Sequence, residues 1–558
     1  MSASPEAKRA CDRCRKRKIK CDSADPCSYC RLSSRTCSYD LPIGKRGPKG
    51  PRTRRQPRRH DTLATLPETN TLGELSDIID NGLSVLERLR RELNKAIQNE
   101  VPLIPVSTMA QHCISIYFRR SFPVLHEPSV RADATYFFGA DGESFPTTLD
   151  EHASKDGLTL MRSFTVLTAL CSAQSFLHAR STIPHGAVVA PKFLTAARRM
   201  FREYEDEDRR VPDATSLQIR MLLSTSLQQY TGETGLAWHL VGEAGLIARR
   251  MRLYSESAMS QHSPLEATML RNAFWVLYVA DNSTKCLQNR AVILHEPLFD
   301  AEMDLAVSGV NQVSLLASED TDTTARFEVS LSQSFHHMRR TWAAAARLMM
   351  AIRAYGRLRS DNIHPELAMD SAQLARITQM YSEFTASLDD IPAMLQPSVI
   401  VGQGDDTLAE EERPCYISQR YRLLSAYYFA KLMIIHECRH LGLASIIGFR
   451  DDDSTLASEE INVARDFIHN LQSVQFHYLV ELGEPGVEVM RAVGSILLEI
   501  SQKSDNAVSR QRALSHLNIL LDIVARLDSQ ASDKLTSQLS HAQTMGFTGM
   551  EQSEETPW

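Results

Sequence analysis

Long apolar runs are missing from this 558-residue chain. Stretches such as 164–171, FTVLTALC, fall far short of the roughly 20 residues that a helical bilayer span requires, so no membrane partner is expected. The opening MSASPEAKRA lacks the apolar core of a secretory signal, and a reducing compartment is expected. There, clustered cysteines more often hold metal than form disulfides. Regular strand-like alternation and Gly-rich turns are absent from about Pro105 to Leu527, which argues against a sheet-based body. Hydrophobic content of 43% with 23% charged residues is nevertheless that of a folding protein, long enough for more than one unit.

Charge and cysteine are unevenly spread. Residues 1–60 carry 18 Lys and Arg against 5 Asp and Glu, while the remainder holds 44 against 63. A strongly basic head therefore precedes an acidic body. Six of the 11 cysteines fall in that head, as Cys11-x2-Cys14-x6-Cys21-x5-Cys27-x2-Cys30-x6-Cys37. The spacing is two similar halves, each opened by CxxC, a loop that brings two thiolates to one tetrahedral zinc. Two such ions need eight bonds, so six thiolates suffice only if two sulfurs bridge; the internal symmetry points to Cys11 and Cys27. With few apolar residues nearby, the metals would supply the folding free energy, on the order of 10 kcal/mol per structural zinc.

This spacing, with Arg13 after the first cysteine and the basic run Arg15, Lys16, Arg17, Lys18 and Lys20 between the second and third, resembles the fungal Zn(2)-Cys(6) binuclear cluster transcription factors. The resemblance implies two Zn2+ per chain and the same two bridging cysteines, with Pro26 in the loop between the halves. It also implies double-stranded DNA as partner, nuclear localisation, and a short helix offered to the major groove. Carried over by position, Lys18 with Arg17 would read the G·C pairs of a CGG-like triplet, where Lys or Arg donates to guanine O6 and N7. Arg15, Lys16 and Lys20, with Arg13, would meet phosphates. A plain solvated basic face or an import signal is the competing reading of the run.

The stretch after Cys37 interleaves Pro and Gly with Lys and Arg, which breaks any helical or strand period. It reads as an extended linker, able to follow phosphates or simply to carry an import signal. Its Lys45-Arg46-Gly47-Pro48-Lys49 adds a short likeness to yeast and mould activators of maltose, starch or sucrose use. Leu72, Ile79, Leu86 and Leu93 then recur every seven residues, with Leu75 and Leu89 between them. This heptad seam is expected to dimerise the chain as a coiled coil; the first helix of the following domain is the alternative.

Beyond it, apolar residues at three- and four-residue steps mark helices at Leu217–Tyr230, Leu236–Met251, Ala273–Leu287, Ala426–Cys438 and Val487–Ile500. The stretch from Thr215 to Leu253, followed by Arg271, Trp275, Leu277, Tyr278 and Asp281, resembles the middle homology domain of the same factors. That domain ends this helix near a Gly-Arg-Pro turn, which Gln288-Asn289-Arg290-Ala291 here replaces. The likeness implies a regulatory body that masks an activation surface or responds to a small-molecule inducer, with transcription coactivators as further expected partners. Phe547, Met550 and Trp558 in the acidic tail are candidate coactivator anchors.

One enzyme motif competes. His436-Glu437-Cys438-Arg439-His440 satisfies HExxH, with Glu459 in the place of a third zinc ligand, as in a metallopeptidase. The motif is short, and a motif counts only in its structural context. The expectation is thus an all-α, non-enzymatic chain: a cluster domain at 1–40, a basic linker at 41–70, a coiled coil at 71–98, a helical regulatory domain at 99–530 and a tail at 531–558. Its expected role is to activate a metabolic gene set, for sugar use or secondary metabolism, with repression as the alternative.

Overall fold

The computed structural model describes residues 10–12, 14, 21–24, 26–32, 36–39, 71–139, 156–179, 182–183, 185–287, 290–309, 312–317, 321–360, 371–397, 412–450 and 452–527. The basic run at Arg13 and 15–20, the linker at 41–70 and the anchors Phe547, Met550 and Trp558 lie outside these residues. The chain divides into two units, 1–68 and 69–558. Among the described residues the regular elements are helical and no strand occurs, as the missing alternation led one to expect.

The first unit contains α1, Ser28–Leu32. The second begins with α2 (Thr71–Glu100), α3 (Val106–Arg120), α4 (Glu127–Phe138), α5 (Gly157–Leu177), α6 (Gly186–Arg210) and α7 (Ala214–Thr231). Their apolar stripes close one core around Phe137, Phe164, Phe193 and Met200. The expected helix at Leu217–Tyr230 lies within α7. That helix starts in a capping box, in which Asp213 Oδ1 accepts from the Ser216 amide at 3.2 Å and Ser216 Oγ accepts from the Asp213 amide at 3.1 Å. It stops at Gly232, whose φ of 66° an L side chain rarely adopts.

Next come α8 (Thr234–Arg250), α9 (Glu256–Met259) and α10 (Pro264–Leu287), which gather around Phe274, Trp275 and Tyr254. The last part comprises α11 (Thr321–Ser360), α12 (Ser371–Thr385), α13 (Arg413–Leu441), α14 (Asp453–Gln472), α15 (Phe476–Val480), α16 (Gly483–Lys503) and α17 (Ala507–Leu527). These build a further core around Phe429, Phe467, Met490 and Leu517. Here α13 packs on α11, α14 and α16, and so lies at the centre of this half.

The heptad helix departs from expectation. It forms as one unbroken element, but Leu86, Leu89 and Leu93 are buried in the core shared with α5 and α6 of the same chain. Three of the residues expected to face a partner therefore face their own body, because α6 offers a complementary apolar stripe through Val189, Phe193, Ala197 and Met200. Side chains of Leu72, Leu75 and Ile79 lie outside the described residues.

Candidate metal centre

In the first unit the two halves of the cysteine pattern fold alike. The Cys11 amide points to Cys21 Sγ at 3.4 Å, and the Cys27 amide to Cys37 Sγ at 3.4 Å. The Cys14 amide likewise points to Cys11 Sγ, and the Cys30 amide to Cys27 Sγ, each at 3.4 Å. The CxxC turn causes the latter pair: it folds the fourth residue's N–H back over the first residue's sulfur. Asp22 fixes the loop between the halves by accepting from the Ser28 amide at 3.0 Å, and Tyr39 closes it with a hydrogen bond from its hydroxyl to the Ala24 carbonyl at 2.9 Å. The ends are tied where the Asp12 amide donates to the Ser38 carbonyl at 2.8 Å.

The sulfurs of Cys11, Cys14, Cys27 and Cys30 are all buried and lie within 4.8 Å of one another. Their separations carry the argument: 3.7 Å for Cys11 to Cys27, 3.7 Å for Cys14 to Cys27 and 3.8 Å for Cys11 to Cys30. A tetrahedron with Zn–S bonds of ~2.3 Å has edges of about 3.8 Å. Each separation is thus one such edge, and Cys11 and Cys27 each take part in two of them, as two tetrahedra sharing the Cys11–Cys27 edge require. The Cys14 amide holds the Cys11 thiol down at about 6, and the Cys30 amide lowers Cys27 in the same way. Burial instead pushes Cys14 up and raises Cys30 to about 12. The all-thiol donor set, its edge lengths and its amide support fit a two-zinc cluster.

In the body, the residues that suggested a middle homology domain have structural partners. Arg271 holds Glu256, with Nη2 to Oε2 at 2.9 Å, and together with Trp275 Nε1 it reaches the Ala306 carbonyl, at 3.0 and 3.3 Å. Tyr278 hydrogen-bonds Glu296, and Asp281 accepts from the Ile293 amide at 2.7 Å. The pattern thus pins the loop after α10 across that helix. In place of the Gly-Arg-Pro turn, Arg290 pairs with Glu488 of α16 and stacks over Trp238; Gln288 and Asn289 lie outside the described residues. Beside the pinned loop lies a cavity of ≈ 460 Å³, lined by Lys285, Glu296, Arg347, Tyr355, Arg376 and Met380 among others. Its size is that of a small-molecule site, and sequence periodicity gave no sign of it because its lining comes from three separate helices.

The HExxH residues sit at the end of α13, but not as a peptidase needs them. Glu437 faces Arg353 of α11 at 3.4 Å, and Glu459 pairs with Lys431 at 3.5 Å. The acid that approaches both imidazoles is Glu499 of α16, and Glu460 takes His436 Nδ1 at 2.8 Å. Neither was singled out from sequence; a lone acid inside the apolar run SILLEI is the signal that marks Glu499. Among the described residues no helix is long and apolar enough to cross a membrane.

Two family models match. Residues 9–46 match the fungal Zn(2)-Cys(6) binuclear cluster domain, and residues 114–341 the fungal specific transcription factor domain. The chain thus carries both domains found in the fungal binuclear zinc-cluster transcription factors, and a cluster domain of that kind binds two zinc ions. It is 54% identical over 48 residues to a maltose fermentation regulatory protein of Saccharomyces cerevisiae, a span of 9% of this chain and 10% of that protein. It is 32% identical over 95 residues to an uncharacterized transcriptional regulatory protein of Schizosaccharomyces pombe, covering 17% of this chain and 12% of that one. A glucose transport transcription regulator of Saccharomyces cerevisiae is 50% identical over 52 residues, 9% of this chain and 4% of its own length. The matched spans are thus a small part of each relative.

Proposed function

We propose that this protein is a nuclear, sequence-specific regulator of RNA polymerase II transcription. In this reading it recognises CGG-type triplets through a cluster in which Cys11 and Cys27 bridge two zinc ions. Cys14 and Cys21 complete one tetrahedron, and Cys30 and Cys37 the other. The observation that carries this reading is the shared Cys11–Cys27 edge of 3.7 Å, which makes a compact scaffold for the basic run without a hydrophobic core. Lys18, helped by Arg17, donates to guanine in the major groove, while Arg15, Lys16 and Lys20 neutralise phosphates. The names of the relatives, maltose fermentation and glucose transport, favour a carbohydrate-utilisation gene set, activated by the body and tail.

Fluorescence anisotropy on a CGG duplex and a scrambled duplex tests base reading. Lys18→Ala is expected to weaken binding to CGG by about 1–3 kcal/mol, to leave the scrambled duplex little changed, and to leave zinc content intact. Equal loss on both duplexes would sink the assignment to Lys18.

A further inference from the structure

The HExxH stretch is the strongest feature that DNA recognition leaves unused. His436 and His440 lie one turn apart on α13, with rings perpendicular and centroids 4.3 Å apart. Their Nε2 atoms are 3.0 Å from each other. The Glu499 carboxylate comes within 3.9 Å of His436 Nε2 and 3.7 Å of His440 Nε2. The first of these contacts is to Glu499 Oε2 and the second to Oε1, and one ligand atom from each of the three residues lies within 4.8 Å of the others; donors bound to one zinc at ~2.0–2.1 Å stand about 3.3–3.4 Å apart, so shifts on the order of an ångström close the set on an ion.

The surroundings orient them. Glu460 of α14 is fully buried and accepts from His436 Nδ1 at 2.8 Å, while Arg439 Nη1 donates to its other oxygen at 2.7 Å. A hydrogen bond from His436 Nδ1–H to this carboxylate leaves Nε2 as the ligand atom, on the side of His440 and Glu499. This is the carboxylate–imidazole support common behind metal-ligating histidines. His440 is half exposed. Lys503 Nζ contacts Glu499 Oε1 at 3.3 Å, but that lysine is 70% exposed and free to swing away from the carboxylate.

We propose that His436, His440 and Glu499 bind one divalent ion of the zinc class, with Glu460 as a positioning residue, and that the ion clamps the end of α13 to α16. Open coordination positions are left to water. The site is structural or metal-responsive rather than hydrolytic, since Glu437 is turned to Arg353, away from the general-base role it has in HExxH peptidases.

The test uses the full chain. Zinc-reconstituted protein, freed of excess metal by gel filtration, should hold three zinc ions per chain by mass spectrometry, and His440→Ala and Glu499→Gln should each hold two. Glu460→Gln should weaken the third equivalent about 10–100-fold. Addition of Co2+ to protein already carrying its cluster zinc should give visible d–d bands without the near-ultraviolet charge transfer of thiolate ligation. Two zincs in the wild type, three in both variants, or thiolate charge transfer on Co2+ addition would each overturn the site and leave the two imidazoles as a hydrogen-bonded pair. The cobalt experiment needs no variant, so a poorly folding substitution cannot mask the answer.

Discussion

At the scale of single residues, one buried carboxylate is held by a group of arginines. Asp208 is fully buried between Arg162 and Arg220, at 2.9 and 2.5 Å, and the group extends to Asp213 and the half-exposed Glu243. Removing the central carboxylate leaves two arginines without their shared partner in low dielectric. Asp208→Asn is expected to destabilise the body by about 3–5 kcal/mol in denaturant melts, whereas Glu243→Gln at the wetter edge should cost less than about 1 kcal/mol. The six cysteines were legible as ligands because thiols at CxxC spacing have few other uses in a reducing compartment. Glu460 and Glu499 were not, because their partners lie 24 and 59 residues away in sequence, on a neighbouring helix.

At the scale of elements, α2 shows how a heptad can mislead. A stripe at a and d positions buries equally well against another copy of itself or against an amphipathic helix of the same chain, and periodicity carries no record of which. Leu86, Leu89 and Leu93 are thereby taken up by the body of their own chain. Leu89→Ala is accordingly expected to cost about 2–5 kcal/mol of body stability, as a large-to-small change in a packed core. If the heptad residues Leu72 and Ile79 pair two chains, Leu72→Glu with Ile79→Glu abolishes dimer formation in sedimentation. A stable dimer in that double variant would move dimerisation elsewhere. The expected helices at Leu217–Tyr230 and Ala426–Cys438 were found within α7 and α13, since long 3.6-residue periods leave little else for the chain to do.

At the scale of the whole molecule, the two units rest on different physics. Among its described residues the first has no apolar core beyond its cysteines and Tyr39, so its folding free energy is expected to come from metal; the second buries extensive apolar surface in several helical cores. A strong chelator is therefore expected to abolish DNA binding by the full chain while most of its far-ultraviolet helical signal persists at 25 °C; collapse of that signal would mean that the body depends on metal too. The all-α class, the basic head on an acidic body, the two-zinc ligand set and the family resemblance were determined by sequence alone, because each is a local matter of composition, period or spacing. Tertiary structure alone decided that the seam leucines of α2 belong to the body, that Arg271, Trp275 and Tyr278 pin a loop beside a cavity, and that Glu499 rather than Glu459 meets the two histidines. Each of these depends on which helix lies beside which, and that follows from the packing of whole apolar faces, a property no single stretch of the chain contains.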